Sequence, residues 1–137
     1  MKLANFYKYF KRDLSIEELQ YNYLFWKSEL EFSLMELVFL KKLIQSYPFN
    51  VKTFNLFERI QLLVAEIDKT ENKNKILLEK TLKQNSQLQD MNECDSLSCD
   101  NYFMIEYMNL AEEIFENIES YKLLKTRIYQ YMGGIMN

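Results

Sequence analysis

The chain has 137 residues, enough for one domain with a genuine core and too few for two of ordinary size. With 48% apolar and 27% charged residues its composition is globular, and two glycines and one proline cannot furnish the many turns of a sheet protein, so a few long helices are expected. The net charge is −3, with nine acidic residues and no basic one between Gln84 and Tyr121; the clustered basic face of a duplex-binding protein is missing, and no nucleic-acid partner is expected.

Residues 1–13 carry Lys2, Lys8, Lys11 and Arg12 and no apolar run of signal-peptide length. Together with only two cysteines, Cys94 and Cys99, this points to a reducing, cytoplasmic setting. Leu3, Phe6, Tyr7 and Phe10 have i, i+3, i+4, i+7 spacing, which predicts a short amphipathic segment docked on the rest of the chain. The same stretch, NFYKYFKR, interleaves aromatics with cations as membrane-surface segments do. Docking gives its apolar half a structural role, so membrane contact is not expected.

The first long helix is predicted over about 16–46. Ser15 and Glu18 form a capping-box pattern, and Leu14 with Leu19 a hydrophobic staple. Its seam runs Ile16, Leu19, Tyr23, Trp26, Leu30, Ser33, Leu37, Leu40, Ile44, a three-four alternation suited to coiled-coil-like packing. The window is no membrane span, because Lys27, Glu29, Glu31 and Glu36 fall near its middle. Ser46-Tyr-Pro-Phe-Asn50 ends it, since proline restricts the residue before it and cannot extend a preceding helix.

The second helix is predicted over about 51–90, through Leu56, Ile60, Leu63, Ile67, Leu77, Leu78, Leu82 and Leu88. Residues 68–75 are polar throughout but hold no Gly or Pro, so they read as the middle of one long helix. A break near Asn72, giving four helices, is the alternative. Residues 91–100 read as a connection. The third helix is predicted over about 101–132, with Gly133-Gly134 as its stop and a seam of Met104, Tyr107, Ala111, Ile114, Ile118, Tyr121, Lys125, Ile128, Met132.

Three such helices on short connections predict a single all-α domain over 1–137, an elongated up-down-up three-helix bundle. The first helix would be about 46 Å long and the second 10 to 15 Å longer, an excess that the leading segment could cap. With the turns centred near residues 48 and 95, Asn74 falls level with Asn117 and with Tyr23 and Trp26, and Lys125 with Glu66 and Glu31. Such interior polar groups fix helix register, or alternatively border a small pocket lined by Tyr23, Trp26 and Tyr121.

A second apolar stripe lies on the first helix roughly opposite its seam: Tyr21, Phe25, Phe32, Met35 and Phe39. A helix in a three-helix bundle touches both neighbours on one side, so this stripe has no partner within it. Full burial of five such side chains is worth roughly 7 to 15 kcal/mol before entropy is subtracted. The leading segment, roughly 15 Å long if helical, reaches only Tyr21 and Phe25. A fourth helix made by a break near Asn72, a second copy of the chain or a different protein could cover the rest; the stripe is the predicted interface, with a homodimer or another protein as partner.

Histidine is absent, which removes the usual general base, imidazole-dependent triads and the Glu-x-x-His pairs of di-iron bundles. With both glycines at 133 and 134, no phosphate-cradling loop exists. Cys94 and Cys99 could give two thiolates to zinc, and Glu112, Glu113, Glu116 and Glu119 could hold a cation. Free thiols in a connector and a solvated helix face account for them more simply. No catalytic residue, cofactor or metal is expected. The function expected is a non-enzymatic helical interaction or scaffold domain, with a ligand- or metal-binding bundle and a peripheral membrane adaptor as alternatives.

Overall fold

The computed structural model describes residues 15–46, 54–91 and 97–136, and these form three helices: α1 (Ile16–Ser46), α2 (Phe54–Met91) and α3 (Leu97–Met136). The leading segment and both connections lie outside the described residues, as do Leu14 of the expected staple and Cys94; Cys99 falls in the first turn of α3.

At the head of α1 the Glu18 backbone N–H donates to Ser15 Oγ at 3.1 Å, one arm of the capping box. The other arm differs from the pattern. The Glu18 carboxylate accepts the Ser15 hydroxyl at 3.3 Å. α2 runs unbroken through residues 68–75, which excludes the four-helix alternative. Its 38 residues make it about 57 Å long, against about 46 Å for the 31 of α1.

α3 corrects the expectation at both ends. It starts at Leu97 and continues past Gly133 and Gly134 to Met136, with no residue in the left-handed region that would form a glycine cap. Tyr131 and Met132 are buried immediately before the glycines, so core packing carries the helix into a pair that propensity alone would make its end.

Hydrogen bonds fix the topology. Tyr23–Gln84, Ser33–Asn74 and Lys41–Asp68 run antiparallel between α1 and α2, as Gln84–Glu106, Asn74–Asn117 and Glu66–Arg127 do between α2 and α3. Asn22–Tyr107 and Glu36–Tyr121 share one offset of 85 residues, which sets α1 and α3 parallel. The chain is thus an up-down-up bundle. α1 packs most extensively on α2 and least on α3.

The core falls into two apolar clusters. One gathers Leu19, Tyr23, Leu30, Leu77, Leu88, Phe103, Tyr107, Leu110 and Ile114; the other gathers Leu37, Leu40, Ile44, Ile60, Leu63, Ile67, Tyr121, Leu124, Ile128 and Met132. Between them lies a polar layer spanning all three helices. Asn117 Nδ2 donates to Asn74 Oδ1 at 2.6 Å, Asn74 Nδ2 to Ser33 Oγ at 2.6 Å, and Ser33 Oγ to the Leu30 carbonyl at 2.8 Å. Each donor is met by an acceptor, which is what makes a buried polar layer tolerable.

Some expected seam residues lie outside the core. Ile16, Leu82 and Ile118 are exposed, while Asn74, Thr81, Gln84 and Asn117 are buried in company with the apolar clusters. Thr81 is satisfied by its own helix, donating to the Leu77 carbonyl at 2.7 Å.

Candidate functional site

α1 owes its orientation to the seam that anchors it. Leu19, Tyr23, Leu30, Leu37, Leu40 and Ile44 are buried on one side, fixed further by Tyr23 Oη donating to Gln84 Oε1 at 2.9 Å and by Lys41 paired with Asp68 at 2.8 Å. At 100° per residue this anchoring turns residues 21, 25, 32, 35 and 39 to the side opposite the seam, with Phe32 at the edge that borders α3. Tyr21, Phe25, Phe32, Met35 and Phe39 are accordingly 68, 48, 58, 70 and 61% exposed. Ser28 continues the stripe as its one small member and is exposed too.

Tyr21 and Phe25 stack on each other with ring centroids 6.5 Å apart. Leu24 and Val38 are exposed beside the stripe and widen it. Further exposed apolar side chains lie on α2 (Phe57, Leu62, Ile76, Leu82) and α3 (Tyr102, Ile105, Phe115, Ile118, Leu123, Tyr129). On α3 they fall in short pairs three residues apart, Tyr102 with Ile105 and Phe115 with Ile118, and do not extend into a longer stripe. Among the described residues, the outer face of α1 is where such side chains line up over about 27 Å, from Tyr21 to Phe39.

The interior polar groups are brought together differently from the expected levels. Asn74 meets Asn117 as expected but is level with Ser33, while Tyr23 and Trp26 lie toward Gln84 and Tyr107. Lys125 pairs with Glu36 at 3.2 Å rather than with Glu31, and Glu66 takes Arg127 at 2.7 Å. The pocket expected from Tyr23, Trp26 and Tyr121 does not assemble. Tyr23 packs edge-to-face on Trp26, Phe103 and Tyr107 in the first cluster and Trp26 stacks on Tyr107, whereas Tyr121 sits in the second, donating to the Glu36 carboxylate, with Lys125 Nζ 4.7 Å from its ring centroid.

Beside the polar layer a cavity of about 180 Å³ opens between α1 and α3, bordered by Phe32, Ser33, Glu36, Asn117, Tyr121 and Lys125. Sequence reasoning missed it because it needs the true register of α1 on α3. Burial raises the Tyr121 phenol far above its ordinary value, and the hydrogen bond to the Glu36 carboxylate adds to the shift. Burial does the same to Tyr23, with the neighbouring Tyr107 contributing. Both phenols are held as neutral donors, fit for structural hydrogen bonds rather than for proton transfer near neutral pH.

In the acidic run on α3, Glu113 is paired with Lys80 at 3.0 Å. No group of three or more His, Cys, Asp or Glu side chains among the described residues could hold a metal ion. No helix among them is long and apolar enough to cross a membrane.

Comparison with protein-family models, with curated protein sequences and with solved structures finds no match to this chain in any of the three.

Proposed function

We propose that the protein is a non-enzymatic helical interaction module of the cytoplasm, whose bundle displays the outer face of α1 to another polypeptide. One observation carries this reading: Tyr21, Phe25, Phe32, Met35 and Phe39 form a regular apolar stripe, each about half exposed or more, on a helix whose opposite side is already anchored in the core. A continuous exposed face of that kind is costly to keep wet and is the usual mark of an interaction site. The lack of histidine in the whole chain supports a role without acid–base catalysis, and its two cysteines suit a reducing compartment.

The test pairs solution mass with affinity capture, comparing wild type with the Phe32→Glu, Phe39→Glu double variant. The proposal expects wild type to hold a second copy or a defined protein that the variant releases, with the helical content of both unchanged. Wild type that is monomeric, and retains nothing the variant loses, overturns it.

A further inference from the structure

The stripe on α1 is spaced 21, 25, 28, 32, 35, 39, and one step further at each end come Glu18 and Lys42, both exposed. The whole series is symmetric about residue 30. Two copies of α1 laid antiparallel about a two-fold axis at that level therefore bring every member onto a member of the mate. Tyr21 meets Phe39, Phe25 meets Met35, Ser28 meets Phe32, and Glu18 meets Lys42, each layer occurring twice.

The chemistry of these layers chooses the direction. Laid parallel, each residue would face its own copy: Glu18 on Glu18 and Lys42 on Lys42 would set like charges at both ends, and Ser28 on Ser28 would leave a gap beside the crowded Phe32 pair. Laid antiparallel, the ends carry opposite charges, and the large Phe32 ring lies over the small Ser28 on both sides of the axis. Pairing large with small gives layers of even volume, and opposite charge at both ends selects register and direction. Near the axis each Glu29 and each Glu31 lies beside its own copy, a like-charge pairing at the exposed rim where water and salt screen it, so the opposite charges at the ends offset it only in part.

The alternation of four and three residues has the 3.5-residue period of a left-handed supercoil. The seam that anchors α1 lies opposite the stripe, and α3 comes near it at Phe32, which borders the cavity between the two helices. A closed two-fold contact also uses up the stripe, leaving no open apolar end to propagate fibres.

Building on the interaction reading above, we propose that the partner of the α1 stripe is a second copy of this chain, packed antiparallel with Glu18 facing Lys42 and Tyr21 facing Phe39 of the mate. The pairing buries the stripe in a symmetric dimer.

Cysteine cross-linking reads the register directly. In a Cys94→Ser, Cys99→Ser background, mild oxidation of Tyr21→Cys, Phe39→Cys chains is expected to give a covalent dimer, while either substitution alone gives none, because disulfides require Cα atoms within about 7 Å. Reversing one charge, by Glu18→Lys or Lys42→Glu, is expected to weaken the dimer about three- to thirtyfold, and the double reversal to restore it. Cross-linking by a single cysteine, or no rescue by the double reversal, overturns the antiparallel register while leaving the interaction reading in place. A monomeric wild type that captures a different protein through the stripe overturns self-pairing alone. A monomer whose stripe cysteines resist alkylation reports cover from within the same chain and overturns both.

Discussion

Asn117 on α3 donates to Asn74 on α2 at 2.6 Å at the point where the two apolar clusters of the core meet, and Asn74 is wholly sealed from water. Ser33 on α1 completes the chain, so one polar layer ties all three helices at a single level. Only one alignment of the helices satisfies it, and this makes the layer a register device as well as a cost.

Asn74→Ala should therefore be expensive. It strands the buried Asn117 amide, at about 1–3 kcal/mol for a buried group left unsatisfied, and removes the donor to half-buried Ser33. Urea unfolding should show a lower midpoint. Replacing the whole layer with Ser33→Ala, Asn74→Leu and Asn117→Leu should recover most of that stability, with the uniqueness of the register, read by dispersion of amide NMR signals, reduced instead.

Tyr23 and Tyr121 predict an alkaline limit. A phenol titrates near pH 10 in the unfolded chain, and both are raised well above that in the fold, chiefly by burial. Between the two values the unfolded state has lost its proton and the folded state has kept it, so stability is full below about pH 10 and falls as pH climbs beyond it. Thermal melts between pH 8 and 11.5 should show the decline. It should be shallower in a Tyr23→Phe, Tyr121→Phe variant.

Gly133 and Gly134 should be improvable. Both are helical with φ in the ordinary negative range, and a Cβ added at either would meet nothing within 4 Å. Gly133→Ala should stabilise by about 0.5–1 kcal/mol through the reduced freedom of the unfolded chain. A loss of stability in thermal melts would mean that these positions leave the helix.

The two sides of α1 should respond in opposite ways to truncation. Leu37→Ala, at a fully buried position, should cost about 2–5 kcal/mol. Met35→Ala, two residues away on the exposed side, should change the unfolding energy of the isolated monomer by no more than about 0.5 kcal/mol. Denaturant unfolding at high dilution makes the comparison.

Much of this architecture was legible from spacing. The seam of α1, its limits at 16 and 46 and the stripe on its far side follow from a 3.6-residue period and from flanking signals at Ser15 and Pro48, which are local. Levels between helices are not local. The α2–α3 pairs centre near residue 95, as expected, which puts Asn74 opposite Asn117; the α1–α2 pairs centre near residue 54 rather than 48, and every partner moves by twice that difference. Hence Ser33, not Tyr23 or Trp26, completes the layer, and Glu36, not Glu31, holds Lys125. Glycines 133 and 134 misled for a related reason: their propensity is local, while the burial of Tyr131 and Met132 that carries the helix onward is not.

The most direct test of the α1 surface is the solution mass of the intact chain by light scattering over a dilution series, beside the Phe32→Glu, Phe39→Glu variant. The expected result is a wild-type species at twice the 16.7 kDa of one chain that dissociates on dilution, with the variant folded and monomeric throughout. Wild type at 16.7 kDa at every concentration, indistinguishable from the variant, would contradict the dimer.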